Sequence, residues 1–104
     1  MTYGIYRTAL LSQKLEGLEK DLQERVDKIE EQLKENPFVG KPLGYKWFRE
    51  KRLNKHRVYY LIYEEFNAVY LITISDKKDQ QKIINTTKIF LDQYKEEIKA
   101  LMKR

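Results

Sequence analysis

Two apolar runs lie almost back to back, Arg57 to Glu65 and Ala68 to Ser75, with only Phe66-Asn67 between them. Aliphatic, β-branched and aromatic side chains fill both, which is the composition of a strand. Phe66-Asn67 suits a hairpin connection. The near-continuous apolar content predicts central strands of a small sheet, with helices covering one face. A third strand is expected just upstream over residues 47–53, with Asn54-Lys55 turning the chain into the next. Gly40, Pro42 and Gly44 predict a loop before it. Trp47 and Phe48 must point to opposite sides of a strand. One enters the core, and the other is free to anchor a partner.

The N-terminal third has a different period. Residues 3–8, with Tyr3, Ile5 and Thr8, suggest a first strand. From there Leu11, Leu15, Leu18, Leu22, Val26, Ile29 and Leu33 recur every three or four residues, one stripe of a helix. Two antiparallel helices turning near Lys20–Asp21 satisfy this pattern, and so does one long helix. Asn36-Pro37 closes the region, because proline disfavours a helical residue before it. At the other end Ile83, Thr87, Phe90, Leu91, Tyr94, Ile98 and Leu101 predict a helix over residues 79–102. That helix either packs on the sheet or completes a dimer or receives a partner. The fold class is therefore α+β: a small, antiparallel-rich sheet, an N-terminal helical hairpin and a C-terminal helix, within a single domain spanning 1–104.

The chain has no cysteine, so the fold rests on packing without disulfides. One histidine and no cysteine leave no credible metal site, and Gly40 and Gly44 do not form a nucleotide loop; no cofactor is expected. The apolar runs are too short to span a bilayer, and a cytoplasmic protein without a membrane partner is expected.

Charge is unevenly placed. Residues 1–36 carry six basic and eight acidic side chains, residues 37–63 seven and one, and residues 64–104 eight and seven. The whole excess of the +5 net charge thus sits in the middle segment. Between Tyr45 and Tyr63, six lysines and arginines accompany one glutamate, one tryptophan, one phenylalanine and four tyrosines. Cations beside aromatics can hold a phosphate backbone and stack a base. Such a field also attracts an acidic protein segment.

The run Glu50-Lys51-Arg52-Leu53-Asn54-Lys55-His56-Arg57-Val58-Tyr59-Tyr60-Leu61-Ile62-Tyr63, followed by the Ala68–Ser75 strand, resembles the RelE/ParE superfamily of bacterial and archaeal toxins. The order of strand, charged helical hairpin, Gly/Pro loop and basic strands fits over roughly the first eighty residues. The resemblance implies a toxin neutralised by a cognate antitoxin. RelE-type members cleave messenger RNA on the ribosome and inhibit translation; ParE-type members act on DNA gyrase without nuclease chemistry. It implies a catalytic role for Arg57, with Arg52 on the preceding strand and Lys77 and Lys78 after the last strand. Many active relatives carry His-Arg and then a tyrosine after the last strand. Here Asp76-Lys77-Lys78-Asp79-Gln80-Gln81 stands there, with no tyrosine before Tyr94. The alternative function is accordingly a non-cleaving or ParE-like protein that acts by binding gyrase or an antitoxin.

Metal-independent cleavage of RNA requires a proton to leave the 2′-oxygen, charge to be stabilised on the phosphoryl oxygens, and a proton to reach the leaving oxygen. Arginine's fixed fork suits the second task, so Arg57 is assigned to it with Arg52 as helper. Lys77 and Lys78 complete the catalytic set. Lys51, Lys55, Tyr59 and Trp47 are the expected substrate-binding residues, Tyr59 because it shares a strand face with Arg57. His56 precedes Arg57, points to the other face, and reads as a turn or surface residue.

Overall fold

Strand β1 (Gly4–Arg7) runs directly into helix α1 (Ala9–Glu16) through Thr8 in the computed structural model, which describes residues 2–104. Thr8 caps the helix: its hydroxyl accepts from the Leu11 amide at 3.0 Å and donates to the Ile72 carbonyl at 2.6 Å. A capping side chain of this kind accepts from one of the helix's orphan N–H donors, and here it also ties the helix to the sheet. Gly17 ends α1, and helix α2 (Lys20–Glu35) follows. The N-terminal region is thus two helices rather than one. The turn lies at residues 17–19, just ahead of the expected Lys20–Asp21.

Strands β2 (Lys41–Tyr45), β3 (Phe48–Leu53), β4 (His56–Tyr63) and β5 (Ala68–Asp76) complete the sheet. Its order is β1-β5-β4-β3-β2, with β1 parallel to β5 and every other pair antiparallel. Asn54 and Asn67 take the left-handed conformation at the two connections, where asparagine is tolerated better than most residues. The expected Gly40–Gly44 loop is largely strand β2. Pro42 is acceptable there because β2 is an edge strand and one of its sides needs no donors, and Leu43 reaches the core. Gly40 is obligatory: a Cβ there would lie 2.5 Å from the Glu50 carbonyl oxygen. The close approach lets the Gly40 amide donate to the Tyr60 hydroxyl at 3.1 Å, while that hydroxyl donates to the Pro37 carbonyl at 2.7 Å.

Both faces of the sheet are covered, not one. Leu11, Leu15, Val26, Ile29 and Leu33 of α1 and α2 pack on Val58, Tyr60, Ile62, Val69 and Leu71. Phe48, Tyr59, Leu61, Tyr70 and Ile72 on the other face meet Ile98, Ile83, Leu91, Tyr94 and Leu101. Alternate residues of β4 thus enter separate cores, which explains why its sequence is apolar without interruption from Val58 to Tyr63. The single C-terminal helix expected over 79–102 is instead α3 (Gln80–Ile89) and α4 (Leu91–Met102). The chain breaks at Phe90, whose amide is shared between the Thr86 and Thr87 carbonyls at 3.3 and 3.1 Å. Phe90, expected on the buried stripe, is exposed at this break. Among the described residues, no helix is long and apolar enough to cross a membrane.

Candidate functional site

The covered second face ends before the sheet does. Helix α3 begins beside the ends of β3, β4 and β5, and the uncovered corner forms a cleft of about 360 Å³ lined by Val39, Gly40, Lys41, Glu50, Lys51, Arg52, Arg57, Lys77 and Gln80. Register explains the gathering. Arg52 pairs directly with Arg57, Lys41 with Glu50 and Arg57 with Ser75. Directly paired side chains share a face. Like charges placed opposite each other across two strands disfavour folding, so the Arg52–Arg57 pair costs stability at this corner.

Glu50 offsets part of that cost. It is 5 % exposed and the one carboxylate lining the cleft. Its Oε2 stands 3.3 Å from Arg57 Nε, and its Oε1 accepts from Gln80 Nε2 at 2.6 Å. Oε2 is buried and takes no hydrogen bond, so it keeps acceptor capacity. Glu50 meets Arg57 at Nε, and the two Nη groups of the guanidinium make no hydrogen bond within the described residues.

The turn after β5 supplies the fourth side of the cleft. Asp76 accepts from the Lys78 amide at 3.0 Å through its carboxylate, and the Gln80 amide donates to the Lys77 carbonyl. One tight turn therefore delivers both Lys77 and Gln80 to the rim.

Of the eight residues expected from sequence, Arg57, Arg52, Lys77 and Lys51 converge on this cleft. The other four do not line it. Lys78 and Lys55 are exposed beside it. Tyr59 shares the face of Arg57 as expected but is fully buried beneath α3 and α4. Its hydroxyl is 3.1 Å from Ser75 Oγ, which itself donates to the Asp76 carbonyl, so Tyr59 is the donor. Burial, ahead of every other cause, holds its phenol above the ordinary range. No ring face is left on which a base can stack, so the expected substrate contact is corrected to a core role.

Trp47 is exposed, stacked on Tyr45 with centroids 4.5 Å apart, whereas Phe48 is the buried member of the pair. Trp47 sits in the turn just before β3, five positions from Arg52, about 16 Å at the rise of a strand. There it borders a different hollow of about 500 Å³, with Phe38, Ile62, Leu91 and a rim of both charge signs. That hollow is larger, but the smaller cleft has five cations to one carboxylate and is the better seat for a polyanion. His56 opens β4 and does not line the cleft. Among the described residues, no group of three His, Cys, Asp or Glu side chains is placed to hold a metal ion.

Three polar cleft residues are not singled out by the sequence. Lys41 falls in the expected Gly40–Gly44 loop, Glu50 is the one acid of a basic strand, and Gln80 falls in the expected C-terminal helix. Strand register brings Lys41 and Glu50 to the cleft, and the turn after β5 brings Gln80; the one signal in the sequence is that Glu50 shares strand parity with Arg52.

No protein-family model matches this sequence, and no curated protein matches it. Solved structures do. A double-arginine mutant of the E. coli toxin RelE in the free state superposes with a TM-score of 0.70 at 17% identity, over 83% of this chain and 93% of that one. The RelBE2 toxin-antitoxin complex from Mycobacterium tuberculosis matches with a TM-score of 0.66 at 22% identity, over 74% of this chain and 100% of that one. The archaeal RelE-RelB complex from Pyrococcus horikoshii matches at 0.65 and 19% identity, over 74% and 97%. The chain has the RelE toxin fold.

Proposed function

We propose that this chain, folded as the RelE toxins are, is a RelE-like toxin that cleaves messenger RNA on the ribosome, inhibits translation and is neutralised by a cognate antitoxin. The observation that carries the reading is the convergence of Lys51, Arg52, Arg57 and Lys77, with Lys41, from separate segments onto one cleft. The RelB–RelE complexes among the structural matches support an antitoxin partner. A site of action on the ribosome places the protein in the cytoplasm.

The chemistry follows from the positions. Arg52, Lys51 and Lys41 hold the phosphodiester in the cleft. Arg57 presents its free Nη groups to the phosphoryl oxygens, where a planar fork stabilises charge as it develops. Glu50, the one carboxylate lining the cleft, takes the proton from the 2′-hydroxyl. The 2′-oxygen then bonds to phosphorus and the bond to the 5′-oxygen breaks. The leaving oxygen receives a proton from the Lys77 ammonium. The products are a 2′,3′-cyclic phosphate and a 5′-hydroxyl.

A second reading has its own support. The Glu50–Arg57 pair partly neutralises the main cation, and no tyrosine stands on the turn after β5. Both features suit a ParE-like protein that binds gyrase or an antitoxin without cutting RNA. Induced expression separates the readings. Under the first, the protein arrests growth, Arg57→Ala relieves the arrest, and the variant still folds and binds the antitoxin. Growth arrest undiminished by Arg57→Ala supports the second reading and removes the catalytic assignment.

A further inference from the structure

We infer that Gln80, the first residue of α3, is a positioning residue of this site, so that the C-terminal helical segment is part of its machinery rather than a cover over it. The inference rests on the reading of the cleft given above. Glu50 has two oxygens with different duties. Oε1 is occupied by Gln80 Nε2 at 2.6 Å, whereas Oε2 faces Arg57 Nε at 3.3 Å and takes no hydrogen bond. The amide therefore decides which oxygen faces Arg57. A base oriented by a third group in this way is the logic of catalytic triads.

Gln80 is itself held. Its amide N–H donates to the Lys77 carbonyl, within a turn fixed by the Asp76 side chain on the Lys78 amide. Among the described residues, the Gln80–Glu50 contact is the one side-chain hydrogen bond that joins α3 to the sheet. Loss of the donor leaves Oε1 unpaired in a buried place, which a carboxylate avoids by turning onto the nearest donor. That donor is Arg57, and the turn draws its guanidinium away from the phosphate. The charged or titratable groups around Glu50 are Arg57, Arg52, Lys51 and Lys41 from the strands, Tyr59 below, Lys77 from the turn, and Asp79, whose charge acts on Tyr59.

Two variants test the inference. Gln80→Leu keeps the bulk and removes the donor. Gln80→Glu places a second carboxylate against Glu50 at neutral pH but regains a donor when protonated. The first readout needs no cleavage: the Arg57 Nε–H resonance in nitrogen-15-labelled protein, with thermal unfolding as the control for folding. We expect this resonance to shift and broaden in Gln80→Leu at every pH, and in Gln80→Glu only above the acid range. The second readout is cleavage of ribosome-bound messenger RNA. We expect kcat to fall roughly tenfold to a hundredfold in Gln80→Leu with KM little changed, and Gln80→Glu to recover as pH falls. An Arg57 resonance that is the same in all three folded proteins overturns the inference, as does an unchanged kcat where the parent protein cleaves. A parent protein that cuts nothing, with the resonance behaving as expected, upholds Gln80 as the residue that positions Arg57 and removes the nuclease reading alone.

Discussion

Glu50 meets Arg57 across strands β3 and β4, its Oε2 at 3.3 Å from the guanidinium Nε, with 6 % and 12 % of the two side chains exposed. The geometry leaves the outer edge of the fork free. A buried pair of this kind adds little net stability, because both ions lose their hydration. Its value here is directional: it fixes one arginine at the centre of a cleft that holds four more cations.

The fork matters more than the charge. Arg57→Lys preserves charge but loses the paired donors and the contact at Nε. We expect cleavage of ribosome-bound RNA to fall by about 10²- to 10³-fold, the loss typical of one removed charge-stabilising donor, with the antitoxin bound as before. Wild-type cleavage by Arg57→Lys shows that a point charge is enough.

Glu50→Gln separates binding from chemistry. The substitution keeps the shape, removes the proton acceptor and leaves the cleft more positive. RNA binding is expected to tighten while kcat falls by about 10²-fold or more. Titration calorimetry and single-turnover cleavage read the two effects apart. Weaker binding together with full activity contradicts the assignment. Glu50→Ala, by contrast, strands a buried guanidinium and is expected to cost about 3–5 kcal/mol of stability.

Gly40→Ala tests the packing behind the cleft. The added methyl meets the Glu50 carbonyl oxygen at 2.5 Å and the Tyr60 hydroxyl, and the first is backbone that cannot swing aside. Destabilisation of about 1–3 kcal/mol is expected, read from the midpoint of chemical denaturation. An unchanged midpoint shows that β2 shifts without penalty.

Alkaline pH is expected to unfold the protein through its phenols. Burial pushes Tyr60 up to about 12 from the ordinary 10. Burial is also the leading cause of the upward shifts of Tyr59, Tyr63, Tyr70 and Tyr94. The folded state keeps protons that the unfolded chain releases, so this stability is whole below pH 10 and drains away as pH rises toward 12. Denaturation midpoints should hold steady up to about pH 10 and then fall. Tyrosinate absorbance should rise together with unfolding rather than before it.

Much of the scaffold was legible because its signals are local. Leu11 to Leu33 follow the helical period, and Val58 to Tyr63 and Ala68 to Ile74 carry strand composition. The features that were not legible depend on neighbours far along the chain. Strand β2 hid behind Gly40, Pro42 and Gly44, which are turn formers until an edge position and a close approach to Tyr60 explain two of them. The break at Phe90 has no glycine or proline to announce it. The parity that set Tyr59 beside Arg57 held, but whether that face was open depended on where α3 and α4 lay. For the same reason the cations of the cleft could be nominated from local charge, while Lys41, Glu50 and Gln80 required the sheet register and the turn after β5.

The most direct measurement is the mapping of messenger-RNA ends in a reconstituted translation reaction with the wild-type protein and with Arg57→Ala. Cuts within ribosome-bound message, carrying 5′-hydroxyl and 2′,3′-cyclic phosphate ends and absent with Arg57→Ala, are the predicted result. Intact transcripts with the wild-type protein, or the same cuts with Arg57→Ala, contradict it.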